Sequence, residues 1–445
     1  MRLAFIINVL KKKVNDHRKK KYFILPSIVH LIKYFFFNNY RNNRCLIDPQ
    51  THFFYKFHKK IKYFSFFLIF IAKYLQKKKI FISINNSCNY SPGHIYSEID
   101  QIKRLQKLED KYLDSTVWFT TSQKEILGET KEIFENKNFK ILFGGIKRIV
   151  LTFAAIKYPY ISINGSIGHT NYLLGKNFSH RQVFNNFPKK RSKLLSDSYN
   201  YYPNKKKLIS YESKTNQLMK NLKINGKYIV VQIKTVKVNG TIKPLNPSLL
   251  LKSIKYFQDK DYQVIFAGRE KFPENFLNKG IIDYANSRFT STLNDFLLVG
   301  NCSLVISSAS GFCSIAECFD KPLLITNAHH ISHYSGRRTI YLPTLLSRKT
   351  KLFNAKIQHQ YLCTYGPDCG YDTFKDMYIL HISNSEEILM ASKELEKMLS
   401  TQIPPLSTLQ KKIYDKGGCP LLCENLSRIS NNFLEKHHNF FYNDA

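Results

Sequence analysis

Residues 297–328 read LLVGNCSLVISSASGFCSIAECFDKPLLITNA. Leu304–Ile306 is a short apolar run of the kind that forms a buried parallel strand. A small polar loop follows, and apolar residues then recur at helical spacing from Phe312 to Phe319. Leu323–Thr326 is a second buried strand. The stretch predicts one β-loop-α-β unit, and therefore an α/β protein built on parallel sheets.

The loop of this unit, Ser307-Ser308-Ala309-Ser310-Gly311, has the composition of an anion-binding loop. It opens a helix, where free backbone N–H groups and the positive end of the helix dipole converge. The three serine hydroxyls add donors, and Gly311 lets the backbone approach a ligand closely. The loop predicts a phosphate or diphosphate site. The alternative is a serine N-cap on an ordinary helix.

Charge and composition limit the classes of partner. The chain has 445 residues, 43% of them hydrophobic, with a net charge of +36. This length and apolar content predict two to three domains rather than a disordered chain. The charge favours an anionic partner: nucleic acid, an acidic membrane surface or a phosphorylated substrate. Codon bias toward AT-rich codons is an alternative source of lysine, and no recognised nucleic-acid motif is present.

Residues 1–79 concentrate the charge, with 19 Lys and Arg residues against two acids, a net +17. Two apolar stretches, Tyr22–Phe37 and Tyr63–Ala72, are interrupted or too short for the roughly 20 residues of a spanning helix. Apolar stretches with basic flanks predict either interfacial membrane helices or core helices with a basic outer face. Met1–Leu10 precedes its lysines, which is the wrong order for a secretory signal.

Nine cysteines, an odd number, indicate reduced thiols in a cytoplasmic protein rather than a disulfide framework. The pairs Cys363/Cys369 and Cys419/Cys423 lack the usual zinc-ligand spacing. We therefore expect no metal and no bound cofactor.

From residue 80 onward, strand patterns alternate with helical patterns in two series. The first predicted strands are Ile80–Ile84, Val117–Thr120, Phe139–Phe143 and Tyr160–Ile163. The second series is Tyr228–Ile233, Tyr262–Ala267, Ile281–Tyr284, Leu304–Ile306 and Leu323–Thr326. The predicted helices include Ile95–Leu108, Ser122–Glu135, Lys147–Ile156, Pro247–Asp259, Ser291–Val299 and Glu386–Met398. Such alternation predicts βαβ units and parallel sheets.

These patterns divide the chain into four parts. A basic, aromatic-rich segment at 1–79 precedes an N-terminal α/β domain at 80–221, which ends in a partly helical crossover. A C-terminal α/β domain follows at 222–400. Residues 401–445 are predicted to form a C-terminal tail that ends weakly structured.

In open parallel sheets, ligands bind beyond the carboxyl ends of the strands. In the second series these ends bear Gln232, Lys234, Gly268, Arg269 and the serine loop. Together they predict a diphosphate site that needs no metal. Lys234 or Arg269 alone would be read as a solvated surface charge.

The first series offers candidates for a general base. Gly93-His94 and Gly168-His169 follow predicted strands, and a histidine at a cleft can deprotonate a sugar hydroxyl. Glu98 and Asp100 are alternatives on the helix after His94. Either histidine can also simply pack or cap its loop. The cluster His329, His330 and His333 is interpreted as loop residues lining the cleft.

Five segments in combination resemble a bacterial family of GT-B-like glycosyltransferases found near surface-polysaccharide genes. The segments are Ser91-Pro-Gly-His-Ile-Tyr-Ser-Glu-Ile-Asp100, Val230-Val-Gln-Ile-Lys234, Val264-Ile-Phe-Ala-Gly-Arg269, Ser307-Ser-Ala-Ser-Gly311 and Ile382-Ser-Asn-Ser-Glu-Glu-Ile388. The resemblance spans roughly residues 80–400. It implies two Rossmann-like domains facing a cleft, with a nucleotide-sugar donor in the second domain and an acceptor in the first. The predicted donor-binding set also includes Glu317.

The chain departs from that family at one place. Where the family has His-x-Arg at the end of the strand that opens the second domain, this chain has Gln232 and Lys234. Lys234 keeps the positive charge without the bidentate fork of arginine, and Gln232 cannot act as an acid or a base.

The predicted function is transfer of a sugar from a nucleotide sugar to a cell-envelope polysaccharide or a lipid-linked acceptor. The expected location is the cytoplasm, with possible attachment of residues 1–79 to the inner face of the membrane. Two alternatives stay open: a sugar-nucleotide epimerase of the same fold, and a non-catalytic basic protein that binds a membrane.

Overall fold

A computed structural model of the chain describes residues 62–84, 92–108, 112–121, 124–163, 205–234, 245–270, 280–328, 336–348, 351–352, 378–400, 402–415 and 427–442. Several predictions fall outside these ranges. They concern Tyr22–Phe37, His169, the cluster His329, His330 and His333, and the pairs Cys363/Cys369 and Cys419/Cys423.

The first unit is a three-stranded parallel sheet in the order β1-β2-β3. Its strands are β1 (Ile80–Ile84), β2 (Thr116–Thr121) and β3 (Phe139–Phe143). Its helices are α1 (Lys62–Lys77), α2 (Pro92–Leu108), α3 (Lys124–Leu127), α4 (Lys131–Phe134) and α5 (Gly145–Lys157). These strands lie where their apolar runs predicted them, because a strand covered on both faces is apolar throughout.

Two elements of the first unit differ from prediction. A 3₁₀ helix at Pro159–Ile161 and a single bridge between Ser162 and Ile82 take the place of the fourth strand. The helix predicted at Ser122–Glu135 is divided into α3 and α4. Gly128 lies between these two helices, and glycine weakens a helix interior.

The second unit is a seven-stranded parallel sheet in the order β13-β9-β8-β7-β4-β5-β6. Its strands are β4 (Tyr228–Gln232), β5 (Gln263–Phe266), β6 (Ile281–Asp283), β7 (Leu304–Ser308), β8 (Leu323–Ala328), β9 (Thr339–Pro343) and β13 (Arg428–Ile429). Its helices include α6 (Glu212–Asn221), α7 (Leu251–Gln258), α8 (Thr292–Asn301), α9 (Cys313–Cys318) and α10 (Ser385–Glu396). The expected α/β class with parallel sheets is confirmed.

A small antiparallel sheet was not predicted. It consists of β10 (Leu345–Arg348), β11 (Lys351–Leu352) and β12 (Tyr378–His381), in the order β11-β10-β12. These strands are only two to four residues long, and their sequences show no clear alternation. None of the helices in the described ranges combines the length and the apolar character needed to cross a membrane.

The prediction of a weakly structured tail after residue 400 is wrong for the residues described. This segment forms α11 (Thr408–Asp415), β13, α12 (Asn431–Lys436) and α13 (His438–Tyr442). Strand β13 pairs with β9 and completes one edge of the large sheet. The Glu394 carboxylate on α10 accepts hydrogen bonds from the backbone N–H groups of Asn431 and Asn432, both at 2.9 Å. It thereby satisfies free donors at the start of α12.

Helix α2 joins the two units through a common core. Tyr96 on α2 meets Phe296 on α8 edge to face, with ring centroids 4.8 Å apart. Phe134 and Phe319 also pack edge to face against Phe296, at 5.5 and 5.9 Å. Aromatic pairs in this geometry add to the free energy gained by burial. The packing fixes the first sheet's helix against the second sheet.

The packing of the C-terminal segment predicts a large effect for Leu434→Ala. Leu434 is fully buried on α12, and truncating a buried leucine costs about 2–5 kcal/mol. Urea unfolding should show a loss of stability in that range. Leu113→Ala is the control, because Leu113 is 43% exposed and its truncation should cost about 1 kcal/mol or less. Equal small losses in both variants would contradict packing of this segment.

Candidate functional site

The order of the large sheet creates a switch point between β4 and β7. From β4 the chain proceeds to β5 and β6 on one side, then crosses to β7 on the other side of β4. The last residues of the two strands are in register, with Gln232 paired to Ser307. In open parallel sheets, the crevice at such a switch point, beyond the carboxyl ends of the strands, is where ligands bind. The sequence predicted the strand ends, and the topology makes this pair the candidate site.

Gln232 organises the loops at this point. Its side-chain oxygen, Oε1, accepts hydrogen bonds from the hydroxyls of Ser307 at 2.7 Å and Ser310 at 2.8 Å. The Ser308 hydroxyl accepts one from the backbone N–H of Lys234 at 2.7 Å. Gln232, Ser307 and Ser308 are buried. The amide thus does a structural task that a charged side chain could fulfil only at a high desolvation cost.

This network revises the predicted role of the serines. The Ser307 and Ser310 hydroxyls lie within hydrogen-bond distance of Gln232 Oε1, and Ser307 Oγ is also 2.9 Å from the Ser308 backbone oxygen, whereas the sequence predicted that they donate to an anion. Helix α9 has Phe312 as its N-cap, and the Ser310 hydroxyl oxygen accepts a hydrogen bond from the Phe312 N–H at 3.2 Å, immediately before the helix. The serines shape the loop and tie β7 to β4.

The next loop in the sheet lies against the same amide. Gly268 follows β5 with φ +109°, a conformation that favours glycine, and a Cβ there would lie 2.9 Å from Gln232 Cγ. The side chain of Arg269, the next residue, is exposed, and that of Lys234 is half-buried. The structure therefore brings Gln232, Gly268 and the serine loop together, with two cations on the flanking loops.

The first unit reaches this site through the start of α2. A Cβ on Gly93 would lie 2.2 Å from the Cα of Gly311, so the two backbones touch. The close approach that the sequence predicted between Gly311 and a ligand is made instead with Gly93. His94 is the next residue of α2, so its backbone stands beside the serine loop. Its side chain lies outside the described part of the structure, as does all of His169.

Asp100 has a structural partner. The Arg104 Nε donates to its carboxylate at 2.6 Å, and both side chains are buried. An Arg104 Nη2 also contacts the backbone oxygen of Glu317 at 3.5 Å, across the junction between the units. The guanidinium of Arg104 occupies this buried carboxylate at short range, so the position argues against Asp100 as the base. Glu317 lies in the last turn of α9, and Glu98 is buried on α2.

Sequence reasoning missed Asp295, in the first turn of α8. Its Oδ1 is shielded from solvent and has no hydrogen-bond partner. Burial raises the pKa of this carboxyl from 3.8 to about 7, and Glu129 adds to the rise, while Tyr284 and Arg269 oppose it. Glu129, from the first unit, also accepts a hydrogen bond from the Leu293 N–H at 3.1 Å. Acidic residues are common in the first turn of helices, so this position did not stand out in the sequence.

The described cysteines are inert. Cys302, Cys313 and Cys318 are free and buried. Burial raises the pKa of the Cys313 thiol to about 11 and that of Cys302 to about 12, so both stay protonated at neutral pH. Within the described ranges, no three His, Cys, Asp or Glu side chains are grouped as metal ligands.

No protein-family model matches the chain, and no curated protein matches it. Solved structures that resemble it include a glycosyl transferase of family 9 from Veillonella parvula DSM 2008, with TM-score 0.40 and 10% identity, covering 71% of this chain and 96% of that one. Another is the ADP-heptose lps heptosyltransferase II of E. coli, with TM-score 0.33 and 9% identity, covering 59% and 89%.

A third resembling structure is the UDP-GlcNAc 2-epimerase from Neisseria meningitidis bound to UDP-GlcNAc. Its TM-score is 0.32 and its identity 14%, and the match covers 72% of this chain and 99% of that one.

The raised pKa of Asp295 predicts that the stability of the fold depends on pH. Because its pKa is higher in the folded chain, the folded state binds the proton more tightly, and this contribution to stability falls as pH rises from about 4 to about 7. Asp295→Asn cannot titrate. Relative to the wild type, its free energy of unfolding should therefore rise by about 1–3 kcal/mol between pH 5 and pH 8.

Urea unfolding at several pH values checks this prediction. Asp259→Asn is the control, since that carboxylate is 55% exposed and should leave the pH profile unchanged. Parallel profiles of the wild type and Asp295→Asn would contradict it.

Proposed function

We propose that the protein is a glycosyltransferase that binds a nucleotide-sugar donor at the switch point of its large sheet. The observation that supports this best is that the Gln232–serine network adjoins the loop after β4 that bears Lys234, the Gly268 loop that precedes Arg269, and the start of α2 at Gly93. The acceptor is a cell-envelope polysaccharide or its lipid-linked precursor, as the family resemblance of the sequence implies. The proposed location is the cytoplasm, at the inner face of the membrane.

The donor's diphosphate is the group that this site suits. Lys234 and Arg269 flank the crevice with positive charge. The 17-residue helix α2 begins beside it, directing free backbone N–H groups and the positive end of its dipole to the same place. These groups need no metal to stabilise the negative charge that develops on a diphosphate leaving group.

The reaction is a displacement at the anomeric carbon. The acceptor oxygen forms the new C–O bond while the bond from that carbon to the diphosphate oxygen breaks, and its electron pair leaves with the nucleotide. The acceptor's proton passes to the His94 imidazole, which is the general base of this proposal. Because Asp100 is engaged by Arg104 at 2.6 Å, His94 is the preferred base.

Removing either cation should weaken donor binding. A charge-assisted hydrogen bond contributes roughly 1.5–3 kcal/mol, so Lys234→Ala and Arg269→Ala should each raise the Kd for a nucleoside diphosphate about tenfold or more. Lys234→Arg should retain binding, because the guanidinium keeps the positive charge and offers two parallel N–H donors to a phosphate. Isothermal titration calorimetry with a panel of nucleoside diphosphates measures this.

The matched control is Lys255→Ala, whose ammonium is 73% exposed on α7 and should not affect the Kd. Wild-type affinity in both the Lys234→Ala and Arg269→Ala variants would refute the donor site.

His94→Ala should separate chemistry from binding. Loss of a general base should lower kcat by roughly 10²–10⁴, while the Kd for the nucleoside diphosphate stays within about twofold. The control is His438→Ala, an exposed histidine on α13. Unchanged turnover in His94→Ala would remove it from the mechanism and leave His169 and Glu98 to be tested.

The epimerase alternative predicts a different product. An epimerase would convert the nucleotide sugar without an acceptor, and the sugar would stay on its nucleotide. A glycosyltransferase releases the nucleoside diphosphate only as the acceptor is consumed. Chromatography of the nucleotide products with and without a lipid-linked acceptor distinguishes the two.

A further inference from the structure

Helix α1 is apolar on two opposite faces. Leu68, Ala72 and Leu75 are buried in the core of the first unit, which α5 shares. Phe66, Phe70 and Tyr74 recur every four residues on the other side and are 74%, 70% and 50% exposed. We call these three residues the aromatic stripe. A helix that is apolar all round normally lies in a core or at a membrane, because water solvates only a polar face well.

The surroundings of the aromatic stripe are strongly basic. Lys73, Lys77, Lys78 and Lys79 are exposed on α1 or directly after it. The sequence has no acidic residue between Asp48 and Glu98. Exposed aromatics next to exposed lysines combine burial in the lipid interface with attraction to anionic headgroups.

We propose that the aromatic stripe docks α1 onto the surface of an anionic lipid bilayer. Helix α1 has 16 residues and is about 24 Å long, whereas a helix that crosses a bilayer needs roughly 20 residues. We therefore place α1 in the plane of the interface. Its inner face stays in the protein core while its outer face enters the headgroup region. This proposal rests on the membrane location in the proposed function and names the surface that makes the contact, and it is independent of what the donor site binds.

Charge argues against two other occupants. A second copy of the chain would bring the same four lysines against one another. Residues 1–61 contain 14 Lys and Arg residues against two acids, so they too would be repelled. An anionic bilayer is the partner whose charge complements this surface.

The test is co-sedimentation of the full chain with phosphatidylcholine vesicles, with and without phosphatidylglycerol. We expect binding to the anionic vesicles at 0.1 M salt. It should weaken at 1 M, where the Debye length falls from about 10 to about 3 Å. Phe70→Glu should reduce the partition coefficient about tenfold or more, because it puts a negative charge into the interface.

The matched control is Ile209→Glu, since Ile209 is 72% exposed on a 3₁₀ helix far along the chain from α1. It should bind vesicles like the wild type. Phe70→Trp should bind at least as tightly as the wild type, because tryptophan favours the membrane interface. This second variant tests the proposal without relying on a charge change.

Four results would overturn the proposal. They are absence of wild-type binding to anionic vesicles, wild-type binding by Phe70→Glu, an equal loss in Ile209→Glu, and a clear loss in Phe70→Trp. Sedimentation of the wild type as a dimer that Phe70→Glu dissociates, without vesicle binding, would assign the stripe to a second copy. The nucleoside diphosphate Kd of Phe70→Glu should equal that of the wild type, so failure of this proposal is distinguishable from failure of the donor site.

Discussion

The buried guanidinium of Arg104 is the constraint on which the junction between the two units depends. A buried charge is tolerated only when it is paired and hydrogen-bonded, and Arg104 meets that condition through Asp100 on its own helix and the Glu317 carbonyl of the second unit. Gly93 stands 11 residues before Arg104, about three helical turns, and so lies on the same face of α2. The position of α2 that satisfies Arg104 also sets Gly93 against Gly311.

The contact between the two glycines links the core to the candidate site. Because neither backbone has a side chain at this point, the start of α2 can reach the loop that closes the switch point. On the other side of that loop, the Gln232 side-chain oxygen accepts hydrogen bonds from the hydroxyls of Ser307 and Ser310. The residue that departs from the resembled family is therefore the one that holds the loop in shape. A neutral amide accepts two hydrogen bonds there without the desolvation cost of a charge.

Charge is used differently in different parts of the chain. The net charge of +36 is high enough that composition alone cannot separate functional lysines from those due to codon usage. The positions of the lysines in the fold distinguish the two groups. Lys234 and Arg269 flank the switch point, whereas Lys73 and Lys77 adjoin exposed aromatic side chains on α1. These are two chemically distinct settings for a cation: one at the ends of parallel strands, and the other beside exposed aromatic rings.

The sequence by itself determined most of the secondary structure and the class of fold. Buried parallel strands are apolar throughout. The strands at Ile80–Ile84, Phe139–Phe143 and Leu304–Ile306 could therefore be predicted from the local sequence pattern alone. The strand-end residues Gln232, Gly268 and Ser307 were also predicted. Only the tertiary structure decided what those residues touch. The strand order, the engagement of the serines by Gln232, the contact of Arg104 with the Glu317 carbonyl and the burial of Asp295 all depend on contacts between residues distant in sequence. The C-terminal strand β13 is two residues long, too short to form a periodic pattern, and pairing with β9 alone makes it a strand.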